Sequence, residues 1–84
     1  MEIIKKLSHM IEKEIKQSHK YIMCALKYKE ERPALADTFY KIADEKMKHM
    51  SLLHTQVTNI IEQYRKENGE PPEHMLLLYD ILHK

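Results

Sequence analysis

The chain has 84 residues, of which 43% are hydrophobic and 32% are charged, with a formal net charge of +1. This length suits one small domain, residues 1–84, and the composition is typical of long helices rather than of strands or disorder. Lysines and glutamates alternate along the chain, and no apolar run or signal peptide of the required length is present. The sequence therefore predicts a cytoplasmic protein with neither a nucleic-acid nor a membrane partner.

The first predicted helix extends from about residue 2 to about residue 30, a stretch without proline or glycine. Positions at heptad-like spacing form a seam, and they hold Ile4, Leu7, Ile11, Glu14, Ser18, Tyr21, Ala25 and Tyr28. Glu14 and Ser18 interrupt this seam at its centre. A second apolar stripe predicts more than one neighbouring helix, and it comprises Ile3, Ile15, Ile22 and Leu26. The single cysteine, Cys24, is interpreted as a buried hydrophobic residue.

The second predicted helix covers about residues 34–67, between Pro33 and the pair Asn68-Gly69. Its seam holds Phe39, Ala43, Lys46, Met50, Leu53, Val57, Ile60 and Tyr64. Lys46 is the one charged residue in this seam. After Pro71-Pro72, an amphipathic pattern predicts a short third helix over about residues 72–83.

The short connection makes the two long helices antiparallel neighbours, so that facing residues have numbers that add to about 60. Glu14 and Lys46 satisfy this condition and are predicted to form a pair. The short third segment covers little apolar surface, so we expect a homodimer that completes a four-helix bundle. Five residues of the second helix are expected to pack partly across its interface, namely Met47, Met50, Leu53, Val57 and Ile61. A monomeric three-helix bundle closed by residues 73–83 is the alternative.

Two features of the long helices point to a known family. Glu14 is followed seven residues later by Tyr21, and the second helix contains the segment Phe39 to His49. Together they resemble the first half of a ferritin-like, rubrerythrin-type domain over about residues 1–67. In that family the first helix contributes a metal-bridging glutamate, and the second contributes a Glu-x-x-His pair to the same di-iron site. The resemblance implies that Glu14 and His49 are iron ligands supported by Tyr21, with ferroxidase or peroxide-reducing oxidoreductase activity.

The sequence departs from the family pattern at Lys46, which stands where the Glu-x-x-His glutamate is expected. Glu45 lies about 100° further around the helix and is a substitute ligand only if the helix rotates. An ammonium group close to a divalent cation in a poorly solvated core is repelled strongly, whereas a pair with Glu14 requires no metal. The second half of the family pattern is also missing. Asp80 and His83 have the spacing of a ligand pair but are interpreted as a solvated helix end.

Two functions are therefore compatible with the sequence. The first is a ferritin-like iron protein, dimeric or larger, with a degenerate metal site whose ligands are Glu14, Glu45 and His49. The second is a metal-free helical module for oligomerisation or partner binding, held by a buried Glu14–Lys46 pair. The predicted fold class is the same for both: an all-α hairpin plus a short C-terminal helix, paired into a ferritin-like four-helix bundle. The sequence leaves open whether the protein is an enzyme.

Overall fold

The computed structural model describes residues 1–69 of the chain. They form two helices, α1 (Glu2–Tyr28) and α2 (Pro33–Asn68), and no strand occurs in this part. The helices pack side by side as a rod of 56 × 20 × 16 Å. The predicted helical hairpin is confirmed, and the four helix ends lie within two residues of their predicted positions. The predicted third helix, with Asp80 and His83, lies outside the described residues.

Proline and glycine set the ends of α2. Pro33 occupies the first turn, where its missing N–H group leaves no hydrogen bond unmade. The chain reverses direction in the preceding turn, where the Arg32 N–H group donates to the Tyr28 carbonyl at 2.9 Å. At the other end Gly69 has a φ of 81°, a conformation that costs glycine little, and its N–H group donates to the Arg65 carbonyl. Local sequence therefore determines where the hairpin bends and where α2 ends.

The antiparallel register agrees with the prediction from the seams. Ser18 contacts Ala43, Glu14 contacts Lys46 and Tyr21 contacts Phe39. All sixteen seam positions of the two helices are buried or half-buried. The heptad spacing of the sequence therefore identified the contacting faces of both helices.

Large aliphatic residues fill the core near the open end of the hairpin. Ile4, Val57 and Ile61 are 0% exposed and Ile11 is 1% exposed. Half-buried residues surround this cluster, namely Leu7, Met50, Leu53, Ile60 and Tyr64. Because Val57 and Ile61 are already fully buried within one protomer, these two have no accessible surface left for a second protomer. The prediction that they pack across a dimer interface was wrong.

Small residues occupy the contact near the turn. The buried positions there are Ser18 and Ala25 of α1 and Ala36 and Ala43 of α2. The Ser18 hydroxyl donates to the backbone carbonyl of Ala43 at 3.3 Å, which requires the two backbones to approach closely. The contact near the turn is therefore narrow, in contrast with the aliphatic core at the open end.

The second apolar stripe of α1 is left largely uncovered. Ile15, Ile22 and Leu26 are 46%, 37% and 51% exposed, and Tyr40 and Met47 of α2 are 43% and 40% exposed. In the antiparallel register these residues lie on one side of the seam, and we refer to these five as the apolar side.

Neither helix within residues 1–69 has a stretch apolar enough, over the length of a bilayer, to cross a membrane.

Candidate polar site

A polar cluster lies at the middle of α1, on the side of the seam opposite the apolar side. The Lys46 ammonium nitrogen is 3.8 Å from Oε2 of Glu14. Their side chains are 25% and 20% exposed, so the predicted pair forms but is half-buried rather than buried. The distance exceeds the 2.7–2.9 Å that is usual for a charge-assisted hydrogen bond. The contact is therefore electrostatic attraction without a hydrogen bond.

His49 approaches the same carboxylate oxygen. It follows Lys46 by three residues, so the two side chains lie on one face of α2. Its Nδ1 atom is 3.6 Å from Oε2 of Glu14, and its side chain is 53% exposed. Within the described residues, Oε2 of Glu14 is shielded from solvent and has no hydrogen-bond donor. One acceptor oxygen thus lies between an ammonium group and an imidazole without bonding to either.

The cluster opens into a shallow groove between the helices, which we call the polar side. Besides Glu14, Lys46 and His49, it is lined by Met10, Lys13, Gln17, Leu52 and Leu53. Lys13 adds a second ammonium group to the groove, so that two lysines accompany one glutamate. With His49 neutral the groove carries a net positive charge, which protonation of His49 would increase.

Two further residues implied by the resemblance lie outside this cluster. Glu45 is exposed and does not line the groove, because its position is rotated about 100° from that of Lys46. The Tyr21 ring packs against Phe39, with ring centroids 6.0 Å apart. Across residues 1–69, no hydrogen bond joins Tyr21 to Glu14. The structure therefore brings together Glu14 and His49 but neither Glu45 nor Tyr21.

The residues of one hairpin do not fit the di-iron centre that the resemblance implies. Such a centre takes several carboxylates that bridge and neutralise two cations. Among residues 1–69, Glu14 is the one carboxylate that lines the groove, and the Lys46 ammonium group is next to its inward oxygen. Residues 1–69 contain no group of three or more histidine, cysteine, aspartate or glutamate side chains close enough to hold a metal ion.

Sequence reasoning identified the Glu14–Lys46 pair but missed a second polar contact across the seam. Ser18 was predicted only to interrupt the seam of α1, whereas its hydroxyl donates a hydrogen bond to the backbone carbonyl of Ala43 in α2. The sequence feature that could have predicted this contact is Ala25, a second small residue in the same seam as Ser18. Serine and alanine permit a close approach of two helices.

Comparison of the chain with protein-family models, with curated proteins and with solved structures found no match. The ferritin-like resemblance therefore depends on the sequence features of the two helices alone.

Proposed function

We propose that this chain is a metal-free helical module that associates with a second copy of itself and is related to ferritin-like domains by fold. The observation that carries the proposal is the position of Lys46, 3.8 Å from the one carboxylate of the polar side. An ammonium group there provides the positive charge that a cation would otherwise supply. It also repels a divalent cation in a half-buried site, where solvent screens charge only partly.

The apolar side is the surface through which we propose the second copy binds. Its residues Ile15, Ile22, Leu26, Tyr40 and Met47 carry no charge and are all more than a third exposed. The α1 residues of the apolar side span about 17 Å of the 56 Å rod, so they would form the apolar centre of an interface of roughly 800 Å² per partner, the standard size. Two hairpins joined in this way would form a four-helix bundle.

The polar side is less suitable for that interface. Burying it against its copy would bring two Glu14, two Lys13 and two Lys46 side chains together. Four ammonium groups would then share two carboxylates away from water, and this excess of charge is costly to desolvate. The metal-free module therefore associates through the apolar side and keeps Glu14 and His49 open to solvent.

A ferritin-like iron protein is the second candidate, and one observation favours it. Glu14 and His49 are the two ligands that the resemblance implies, and Oε2 of Glu14 is 3.6 Å from Nδ1 of His49. A metal centre shared by two hairpins would need both copies of this pair, so the polar side would be the one buried. The two candidates thus differ in the side through which the protein associates.

Metal content tests the proposal directly. We expect purified native protein to contain far less than one equivalent of iron or zinc, and Lys46→Glu to gain metal because it restores the Glu-x-x-His pair. Lys48→Glu is the matched control, since Lys48 lies in an exposed pair with Asp44 and the charge change is the same. Stoichiometric metal in the native protein, measured by elemental analysis, would sink the metal-free proposal.

Oligomeric state tests which side is buried. Light scattering coupled to size-exclusion chromatography should show a native dimer that Ile22→Lys converts to a monomer. Met10→Lys is the matched control on the polar side, because Met10 is comparably exposed at 44% against 37% for Ile22. The opposite pattern, in which only Met10→Lys separates the protomers, supports the iron candidate. A native protein that stays monomeric at high concentration contradicts both.

A further inference from the structure

Five lysines of α1 lie together on the outer surface of the hairpin, although lysines and glutamates are interspersed in the sequence. Lys6, Lys13, Lys20 and Lys27 recur every seven residues, so they lie on one line along the helix. Lys16 lies beside this line. All five are exposed. We refer to these five lysines as the basic strip.

Acidic residues of α1 adjoin the basic strip at its edges, since Glu2 lies one turn before Lys6 and Glu12 lies one turn before Lys16. Glu14 points into the polar side, which Lys13 also lines, and Glu12 lies beside Lys13 and Lys16 on the outer surface, where it contacts His9 at 3.9 Å. None of the five lysines forms an ion pair with a carboxylate among residues 1–69. On α2, by contrast, Lys41 and Lys48 each contact an aspartate at 3.2 Å.

The basic strip is long and straight. Lys6 and Lys27 are 21 positions apart on one continuous helix, which corresponds to about 31 Å. The strip therefore follows the long axis of the rod, and its neutralisation requires an anionic partner that extends over the same length. A plane meets this condition, because a flat surface contacts every residue on a straight line at once.

Apolar side chains lie among these lysines. Met10 and Met23 are 44% and 53% exposed, and Ile3 at the start of α1 is 43% exposed. Their register positions are next to those of the lysines on the outer surface of α1. Apolar side chains interleaved with lysines can enter the headgroup region of a bilayer while the ammonium groups remain at the level of the phosphates.

We infer that the basic strip binds the surface of a membrane that contains anionic lipids, with α1 lying in the plane of the interface. Nucleic acid fits the strip less well. The strip contains no arginine for bidentate contacts, the half-buried Tyr28 ring beside it already contacts the Lys27 ammonium group at 5.4 Å, and the backbone of a duplex curves away from a straight rod. Association through the apolar side would leave the strip exposed. The sequence predicted no membrane partner because of its small net charge and because no apolar run reaches spanning length. Neither property depends on how the lysines are arranged on one helix.

Co-sedimentation of the full chain with lipid vesicles tests this inference. Vesicles of phosphatidylcholine mixed with phosphatidylglycerol should bind the protein, and vesicles of phosphatidylcholine alone should not. Raising the salt concentration from about 0.1 M to about 1 M shortens the Debye length from about 10 Å to about 3 Å and should release most of the bound protein. Equal binding to both kinds of vesicle, or no binding to either, overturns the inference.

Two double variants with the same change in net charge make the test specific for the strip. Lys13→Gln with Lys20→Gln should weaken binding about 25-fold, since each lysine near an anionic surface contributes about fivefold. Lys41→Gln with Lys48→Gln on α2 should weaken it less than about twofold, because those ammonium groups are already paired with aspartates and lie on the other helix. An equal loss in both overturns the assignment to the strip. Circular dichroism checks that both variants retain their helices.

A single-stranded and a duplex oligonucleotide serve as competing probes. Binding to either oligonucleotide at lower protein concentration than to the anionic vesicles, with the same loss on removing Lys13 and Lys20, identifies nucleic acid as the partner. That result overturns the lipid inference. Vesicle binding that oligonucleotides do not displace, together with the loss in the strip variant, supports it.

Discussion

Towards the open end of the hairpin α1 and α2 contact through large aliphatic side chains, whereas towards the turn they contact through serine and alanine. The aliphatic half, represented by Ile4, Ile11, Val57 and Ile61, buries side-chain volume and gains stability from removing apolar area from water. The small-residue half buries little volume but brings the backbones of the helices close together. The Glu14–Lys46 pair lies between the two halves. The first half therefore supplies most of the stability, and the second sets the geometry.

The largest expected effect belongs to the aliphatic half. Ile11→Ala should lower the free energy of unfolding by about 2–5 kcal/mol, because Ile11 is 1% exposed and its truncation leaves a cavity. Ile15→Ala is the matched control on the same helix, where the residue is 46% exposed. Its effect should be small at protein concentrations where the chain is monomeric. Chemical denaturation followed by circular dichroism measures both, and equal effects would show that the seam assignment is wrong.

Overpacking the small-residue half should have the next largest effect. Ala43→Leu should cost about 1–3 kcal/mol, because Ala43 is 3% exposed and a larger side chain must push α1 away. Ala34→Leu, at an exposed position in the first turn of α2, should change the unfolding free energy little. A neutral or stabilising Ala43→Leu in the same denaturation experiment would indicate that the helices are not closely apposed near the turn.

The pair between the two halves should contribute less. Glu14→Gln should cost about 1–2 kcal/mol, between the values for exposed and fully buried pairs, because it leaves Lys46 half-buried without its partner. The control is Asp44→Asn, which breaks a shorter contact of 3.2 Å whose side chains are 71% and 68% exposed. We expect the control to lower the free energy of unfolding by only a few tenths of a kcal/mol, because its pair is exposed. Burial of an ion pair would then affect stability more than the distance between its charged atoms.

Both pair variants are best measured with a chelator present, so that no bound metal contributes to stability. An unchanged unfolding free energy for Glu14→Gln would show that Glu14 and Lys46 do not stabilise the hairpin. A loss that appears only without chelator would indicate that Glu14 acts through a metal ion.

The smallest effect is expected for the hydrogen bond across the seam. Ser18→Ala keeps the small volume that the close contact requires and removes one neutral hydrogen bond, which costs about 0.5–1 kcal/mol. Thr38→Ala removes an exposed bond within α2, from the Thr38 hydroxyl to the Ala34 carbonyl, and should be neutral or slightly stabilising. If Ser18→Ala lowered the unfolding free energy more than Glu14→Gln, the Ser18 hydrogen bond would contribute more to stability than the Glu14–Lys46 pair. Thermal denaturation of the three variants together determines that order.

The seams, the turn and the register of the hairpin were predictable because each depends on local spacing. Heptad periodicity selects the contacting face, Pro33 and Gly69 mark the limits of α2, and the short turn fixes which residues face each other. The candidate site was predictable only in part. Glu14, Lys46 and His49 were identified, but their distances and the half-buried state of the pair depend on how closely the two helices pack.

Two other features could not be derived from the helical pattern alone. Val57 and Ile61 were expected to pack partly against a second protomer, and the pattern could not show that they are completely buried within one protomer. The alignment of the basic strip was hidden for a related reason. Interspersed charges in a sequence appear balanced until a helix aligns some of them, which here places Lys6, Lys13, Lys20 and Lys27 on one line.

By itself the sequence determined the all-α class, the two long helices, their antiparallel pairing and the level at which Glu14 meets Lys46, because short-range periodicity and a short turn suffice for these. Tertiary structure alone decided how buried that pair is, that Glu45 lies outside the cluster and which apolar residues remain uncovered. The physical reason is that burial and distance depend on the separation of the two helices. That separation is set jointly by small residues near the turn and large aliphatic residues at the open end.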